Sequence, residues 1–393
     1  MKYNFDKVID RSGTSAEKVE GLKHIWGRTD LIPLWVADMD FATAPFVTDA
    51  IRKRCENEVL GYTGKPDSYY NAIINWVKQR YDLIVTKEVI NFVPGIVPGI
   101  GMAMNCFTQK GDKVMIQPPV YHPFAWVTTR NERTLVINPL RWENGMYRMD
   151  LDAFREQIKG CKLFILCNPH NPGGVVWTEA ELRAIADICY DEKVLVFSDE
   201  IHADLTLPPH THRPFATVSE KARMNSVTFM SPSKAFNMPG LSASHALIFN
   251  EDLRKRFRIY MDAGELDMGH VFAFLSVEAA YSHGTEWLDQ CLAYIQGNID
   301  FVDEFLKKHA PKIKAIRPEA SYLVWLDCRE LELSQKDLNE FFVDKAHLAL
   351  NDGEMFGKEG IGFMRLNVAS PRCIIEKAMK QLADAYQLYI CFL

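Results

Sequence analysis

Between residues 90 and 237 the chain repeats one pattern five times: a short apolar run, a cluster of glycine, proline or small polar residues, and a stretch suited to a helix. The apolar runs are continuous and do not alternate with polar residues, which is typical of parallel strands covered by helices on both faces. The five runs are Asn91–Val93, Lys113–Ile116, Leu163–Cys167, Val194–Phe197 and Val227–Met230. We therefore expect an α/β fold with a mainly parallel sheet. Ligands bind such sheets beyond the carboxyl ends of the strands, so we expect the polar clusters to share one site.

The rest of the chain is organised differently. With 393 residues it is long enough for two domains. We expect an N-terminal arm that joins a smaller α+β domain, and a large domain between them. The expected bounds are 1–45 for the arm, 46–283 for the large domain and 284–393 for the small domain. The pattern also predicts a helix from Pro45 to about Leu60, an amphipathic helix over Thr285–His309 and a last helix capped by Ser370.

Composition and charge argue against several classes of function. The net charge is −6, so electrostatics give no support for a nucleic-acid partner. No stretch approaches the roughly 18 apolar residues of a membrane span, and residues 1–11 lack the apolar core of a signal peptide. The nine cysteines include no C-x-x-C pair, so we expect free thiols in a reducing compartment and no metal site. These features predict a cytoplasmic protein.

Lys234 directly follows one of the apolar runs, in the stretch Ser231-Pro-Ser-Lys-Ala-Phe-Asn237. Most lone lysines in loops are solvated surface charges. A lysine at the mouth of a sheet, however, is also placed to condense with an aldehyde. Asp199 ends another run, where a carboxylate is either purely structural or faces a cation such as a protonated ring nitrogen.

Three further clusters suit the remaining parts of one cofactor. Asn168 and Asn171 bracket a turn rich in proline and glycine, and most such turns are only turns. Ile96-Val97 begins a helix whose free N–H groups suit a phosphate. The hydroxyls of Ser231 and Ser233 suit the same anion or cap a turn. Together these residues offer what pyridoxal 5′-phosphate (PLP) needs. They supply an amine for its aldehyde, an acid for its pyridine nitrogen, an amide for its phenolic oxygen and a binding site for its phosphate.

Three stretches, Asn168–Gly174, Ser198–His202 and Ser231–Asn237, resemble the motifs of fold-type-I PLP-dependent enzymes, the superfold of the class I/II aminotransferases, in order and spacing. Within that superfold, Trp35–Phe41 and Asp199–His202 resemble the cystathionine β-lyases of the MalY/PatB type, which are carbon–sulfur lyases. The resemblance covers essentially the whole chain. It implies a mainly parallel seven-stranded sheet with a smaller α+β domain, PLP as cofactor, a small amino-acid substrate and a homodimer whose sites are shared across the interface.

The resemblance also implies roles for individual residues. Lys234 would bond to the cofactor and move the substrate α-proton, and Asp199 would pair with the pyridinium nitrogen. Tyr121 would stack on the cofactor ring and help to protonate the leaving group, and Arg365 would hold the substrate carboxylate. The other implied cofactor contacts are Ile96, Val97, Asn168, Asn171 (to the ring oxygen), His202, Ser231, Ser233 and, from the neighbouring subunit, Tyr62. The other implied substrate contacts are Trp35, Ala37 and Asn171.

The implied reaction is the cleavage of L-cystathionine or related cysteine S-conjugates to a thiol, pyruvate and ammonia, and an aminotransferase is the alternative. His202 favours the lyases, because aminotransferases of this superfold often carry tyrosine there. Residues 238–244 hold no cation for a phosphate, which also argues against an aminotransferase. A non-enzymatic protein that retains the fold is a third interpretation. Tyr121, Trp35, His202 and Arg365 each have a purely structural alternative, as packing residues or as part of an ion pair.

Overall fold

The computed structural model describes residues 3–391. Five of its strands coincide with the five apolar runs that the sequence analysis identified. The strands are β1 (Ile32–Pro33), β2 (Ile90–Val93), β3 (Lys113–Ile116), β4 (Thr134–Ile137), β5 (Arg141–Glu143), β6 (Met146–Arg148), β7 (Cys161–Cys167), β8 (Leu195–Asp199), β9 (Ser226–Met230), β10 (Ser244–Leu247), β11 (Lys314–Ile316), β12 (Leu323–Asp327), β13 (Leu348–Ala349), β14 (Asn351–Asp352) and β15 (Phe363–Asn367).

Helices alternate with these strands in the first two thirds of the chain and enclose the smaller sheet in the last third. The helices are α1 (Glu17–Trp26), α2 (Pro45–Cys55), α3 (Asp67–Tyr81), α4 (Ile96–Phe107), α5 (Pro123–Arg130), α6 (Leu151–Gln157), α7 (Glu179–Asp191), α8 (Glu220–Met224), α9 (Glu251–Ala263), α10 (Val271–His283), α11 (Thr285–His309), α12 (Gln335–Glu340) and α13 (Arg372–Cys391). Among the helices of residues 3–391, none has the length and apolar character needed to cross a membrane.

Seven strands form one sheet in the order β2-β10-β9-β8-β7-β3-β4. The strands β9, β8, β7, β3 and β4 pair in parallel, whereas β10 runs antiparallel to both of its neighbours, β2 and β9. The predicted α/β fold with a mainly parallel sheet is therefore confirmed. Because β10 runs in the opposite direction, its first residue, Ser244, lies at the edge where the parallel strands end.

Helices cover both faces of this sheet, which explains why its strands are apolar along their whole length. One face packs against Ile100 and Met104 of α4, Phe124 of α5 and Phe257 of α9. The opposite face packs against α3, α7 and α10. Burying one large apolar side chain stabilises the fold by roughly 1.5–3 kcal/mol, so apolar residues are favoured on both covered faces of the sheet. Polar side chains consequently collect at the strand ends.

A second sheet, in the order β11-β12-β15-β14, is antiparallel throughout and lies in the last third of the chain. The N-terminal segment joins this region, because β1 pairs in parallel with β13. The ring of Phe5 also lies 5.1 Å from that of Phe41 and 5.5 Å from that of Trp287 in α11. On these contacts we propose the division into an arm, a large domain and a small domain; its boundaries stay a prediction.

Two predicted helix limits are wrong, and one prediction is confirmed. Helix α2 ends at Cys55 and does not reach Leu60. Arg54 donates hydrogen bonds to the carbonyls of Asn57 and Val59 in the turn that follows. Leu60 is 58% exposed, so burial does not favour a longer helix. Ser370 does not cap the last helix: its hydroxyl is buried without a hydrogen-bond partner, and the first turn closes one residue later, on Pro371. Helix α11 has the predicted limits.

Candidate active site

A cavity of about 200 Å³ lies at the carboxyl edge of the large sheet. The ends of β2, β3, β7, β8 and β9 open into it, together with the start of β10. The predicted site residues that line it are Ala37, Ile96, Val97, Tyr121, Asn171, Asp199, His202, Ser233 and Lys234. The strand ends and the N-terminal segment thus bring together in one cavity residues as far apart in the sequence as Ala37 and Lys234, and Lys234 and Asp199 are both among them.

The amine of Lys234 is held by the backbone of the N-terminal segment, because its Nζ donates a hydrogen bond to the carbonyl oxygen of Ala37. Burial lowers the pKa of Lys234 to about 8; the charge of Arg365 acts in the same direction, and Asp38 and Asp199 oppose it. A larger fraction of this amine is therefore neutral near pH 7 than of an exposed lysine, and the neutral form is the nucleophile.

The carboxylate of Asp199 is 3% exposed and accepts a hydrogen bond from the Ile201 amide, at 3.1 Å. Burial raises the pKa of Asp199 to about 7, and the neighbouring charge of Glu200 adds to the effect. A carboxylate in this environment gains from a cationic partner that enters the cavity, as a protonated ring nitrogen would.

Two ring side chains complete the walls around Lys234 and Asp199. His202 is buried, burial lowers its pKa to about 3, and its Nδ1 has no hydrogen-bond partner. The imidazole is therefore neutral near pH 7. Tyr121 is half-buried, and burial, followed by the charge of Asp199, raises its pKa. Its phenol consequently keeps its proton and can donate it.

The end of the cavity at α4 has the features of an anion cradle. Gly95 precedes the helix with φ of 127°, a conformation that favours glycine, and no side chain caps the helix N-terminus. Ser233, Ser242 and Ser244 line the cavity here. Ser231 does not line it, since its hydroxyl donates to the Ala243 carbonyl at 2.7 Å. Apart from Lys234, no lysine or arginine of the described residues lines the cavity.

Arg365 lies beside the cavity on β15 and is 3% exposed. Its guanidinium donates to Asn171 Oδ1 at 3.1 Å, to the Trp35 carbonyl at 3.0 Å and to Asn351 Oδ1. Burial lowers the pKa of Arg365 to about 10, so the group stays charged near pH 7. Its Nε is buried without a hydrogen-bond partner, and one oxygen of a carboxylate ligand would satisfy it.

Besides Ser231 and Arg365, three more of the predicted residues do not line the cavity: Trp35, Asn168 and Tyr62. The Trp35 indole donates to the Lys18 carbonyl at 3.0 Å and packs on Trp26, so only the Trp35 backbone reaches Arg365. Asn168 is fully buried and its side-chain amide donates to the Arg213 carbonyl at 3.1 Å. Tyr62 is 98% exposed and lines a different, surface cavity. Their predicted roles stay predictions.

Sequence analysis missed the residues that hold Ala37 opposite Lys234. The Asn367 side chain donates to the Val36 and Asp38 carbonyls, at 2.7 Å each. The hydroxyl of Tyr322 donates to the Ala37 carbonyl at 3.0 Å. Neither residue belongs to a local motif, and only the pairing of β12 with β15 brings them to this place. Ser242 and Ser244 were missed as lining residues because the reversed direction of β10 was not recognised.

Known proteins resemble this chain along its whole length. A model of the family "Aminotransferase class I and II" matches residues 29–382. Cystathionine beta-lyase PatB of Bacillus subtilis (strain 168) is 38% identical over 97% of this chain and 99% of its own length. Cystalysin of Treponema denticola, whose crystal structure contains pyridoxal 5′-phosphate, has a TM-score of 0.95 and 33% identity over 98% of this chain and 99% of its own. The PLP-bound C-S lyase of Staphylococcus hominis has a TM-score of 0.91 and 35% identity over 98% of both chains. On this full-length match, the chain belongs to the class I and II aminotransferase family.

Proposed function

We propose that this protein is a PLP-dependent carbon–sulfur β-lyase that converts L-cystathionine or related cysteine S-conjugates, with water, to a thiol, pyruvate and ammonia. The observation that carries the proposal is that Lys234 and Asp199 line one cavity, together with Asn171, Tyr121 and His202. Full-length similarity to a cystathionine β-lyase and to a PLP-bound C-S lyase structure supports the reaction type, and the PLP-containing structure of cystalysin supports the cofactor.

The cavity fits PLP group by group. Lys234 supplies an amine with a lowered pKa for the aldehyde. Asp199 supplies a buried carboxylate that a pyridinium would neutralise, and Asn171 lines the cavity where an amide can face the ring oxygen. The N-terminus of α4 and the hydroxyl of Ser233 suit the phosphate. Bound PLP would accept the electron pair that remains when the α-proton of the substrate leaves.

The protein's own groups then divide the work of the reaction. Arg365, with its unpartnered Nε, holds the substrate carboxylate and so fixes the α-carbon. Lys234, as a neutral amine, takes the proton from that carbon. The phenol of Tyr121 gives its proton to the sulfur of the departing thiolate as the carbon–sulfur bond breaks. The three-carbon remainder leaves the site and is hydrolysed to pyruvate and ammonia.

A homodimer with shared sites belongs to the same proposal. Tyr62 lies in an exposed segment with Val59 and Leu60, which are 72% and 58% exposed, and these apolar side chains suit an interface with a second copy. In that dimer Tyr62 of each subunit would reach the phosphate of the other subunit's site. The nine free cysteines agree with the proposed cytoplasmic location.

The test is to incubate the purified protein, loaded with PLP, with L-cystathionine and without any keto acid. We expect sustained release of pyruvate and thiol in equal amounts. A single stoichiometric half-reaction that continues only when a keto acid is added would establish an aminotransferase instead. Borohydride reduction followed by peptide mapping should place the cofactor on Lys234; a label on another residue would refute the assignment.

A further inference from the structure

The Ala37 carbonyl has two hydrogen-bond donors from distant parts of the chain. One is the Nζ of Lys234, and the other is the hydroxyl of Tyr322, at 3.0 Å. Tyr322 is fully buried on the segment that leads into β12. A carbonyl oxygen has two lone pairs, so the tyrosine occupies one of them and leaves one for the lysine.

The position of this carbonyl is fixed from both sides. Asn367 holds the carbonyls of Val36 and Asp38, which flank Ala37, at 2.7 Å each. Asn237, three residues after Lys234, donates to the carbonyls of Met39 and Phe41 at 2.9 and 2.7 Å. The segment that presents Ala37 is thereby tied both to β15 and to the loop that carries the lysine.

We propose that the Ala37 carbonyl and the Tyr322 hydroxyl form a docking position for the amine of Lys234 whenever it is not bonded to the cofactor, and that Tyr322 is a positioning residue for proton transfer. The inference rests on the proposed function. Because Tyr322 occupies one lone pair of the Ala37 oxygen, the Lys234 amine can bond to that oxygen from only one direction. In that position the amine faces the cavity. Without the hydroxyl, the amine has two directions available and spends less time in the productive one.

The charged and titratable groups around the amine come from several elements. Asp38 of the N-terminal segment and Asp199 at the end of β8 stabilise the ammonium form, whereas Arg365 of β15 opposes it. Tyr121 and His202 line the same cavity. The Tyr322 hydroxyl and the ammonium share one acceptor oxygen, and each bond makes that oxygen a weaker acceptor for the other. Removal of the hydroxyl should therefore strengthen the bond from the ammonium and raise the pKa of Lys234.

The test compares Tyr322→Phe with a matched control, Tyr389→Phe. Tyr389 also donates its hydroxyl to a backbone carbonyl, that of Leu331 at 2.7 Å, but lies outside the cavity. For Tyr322→Phe we expect kcat to fall about 3- to 10-fold with little change in KM, and the ascending limb of the pH profile to move to higher pH. The control should match the wild type in both.

A second readout does not depend on turnover. In the full-length protein freed of cofactor, the rate at which acetic anhydride labels Lys234 is followed against pH by mass spectrometry. The midpoint should move upward in Tyr322→Phe and stay unchanged in Tyr389→Phe. Unchanged midpoints and unchanged kcat in a folded Tyr322→Phe variant would overturn the proposal, whereas failure of the wild type to release pyruvate would instead refute the proposed function.

If Tyr322→Phe does not fold, the wild type still decides. A crystal structure of the cofactor-free protein should place Nζ of Lys234 and the hydroxyl of Tyr322 within hydrogen-bond distance of the same Ala37 oxygen. A structure in which either group bonds elsewhere would overturn the docking position.

Discussion

Arg365 donates a hydrogen bond to Asn171 across a distance of 3.1 Å, and this bond joins the antiparallel sheet to the turn after β7 in the large sheet. Arg365 therefore contacts Asn171, which itself lines the cavity. Any ligand carboxylate that binds the guanidinium would also lie close to the side chain of Asn171.

Replacing Arg365 by lysine should raise KM for L-cystathionine and lower kcat/KM by roughly 10- to 100-fold, because an ammonium cannot reproduce a two-pronged contact with a carboxylate. Arg372→Lys is the control. The Arg365 guanidinium lies 4.9 Å from the centre of the Phe356 ring. Arg372 likewise lies 4.9 Å from the Phe301 ring and donates to Asn298 at 2.8 Å, but outside the cavity. Steady-state kinetics of both variants give the comparison. Equal KM values for the two would remove Arg365 from substrate binding.

Replacing Tyr121 by phenylalanine should impair the reaction in proportion to the basicity of the leaving thiolate. The variant keeps the ring and loses only the proton donor, so a conjugate with an alkyl thiol should react about 100-fold more slowly. A nitrophenyl thiolate leaves readily without a proton, and its conjugate should react at nearly the wild-type rate. Comparing kcat for the two substrates is the measurement; equal losses would show that the Tyr121 hydroxyl does not protonate the leaving thiolate.

Asp199 should make the cofactor-free protein less stable as the pH rises. Its pKa is raised to about 7 in the folded chain and returns to its ordinary value, near 4, on unfolding. The folded state therefore holds its proton more tightly, and the stability gained from that proton is lost progressively between pH 4 and 7. Asp199→Asn removes the effect, so its free energy of unfolding should exceed that of the wild type by an amount that grows by roughly 4 kcal/mol over this range.

Urea unfolding of the cofactor-free proteins between pH 4 and 7.5 measures this difference. Asp67→Asn serves as the control, since Asp67 is an exposed carboxylate whose pKa is lowered by its bond to Lys87. A difference between Asp199→Asn and the wild type that does not change with pH would contradict the argument. It would mean that the carboxylate of Asp199 is ionised in the folded protein at every pH tested.

Mixing two inactive variants tests the shared site. If Tyr62 acts in the partner's cavity, a dimer of one Tyr62→Ala chain and one Lys234→Ala chain contains one complete site, because the chain with the intact lysine receives the intact tyrosine. Random reassociation after mild denaturation should then restore about a quarter of the wild-type activity per chain. Mixtures that stay as inactive as either parent would place Tyr62 outside the neighbouring site.

Local patterns predict the part of this site that lies on the large sheet. Lys234, Asp199 and Asn171 each follow an apolar run, and parallel strands deliver their carboxyl ends to one edge. Ser244 was not predicted because β10 is antiparallel, and no local pattern distinguishes an antiparallel strand from a parallel one. Tyr322 and Asn367 escaped because they act through the backbone of residues 36–38, which depends on pairing across more than 280 positions. The orientation of Trp35 was unpredictable for a different reason: it depends on how α1, which supplies its neighbour Trp26 and its acceptor on Lys18, packs against the segment.

The hydrogen bond from Asn367 to the Val36 carbonyl spans 331 positions. During synthesis this wall of the cavity can therefore form only after β15 has emerged from the ribosome. A nascent chain that already carries the lysine loop still lacks the carbonyl fixed in place to receive its amine. Cofactor binding should consequently require β15, and a truncation that removes β15 and α13 should yield a colourless product.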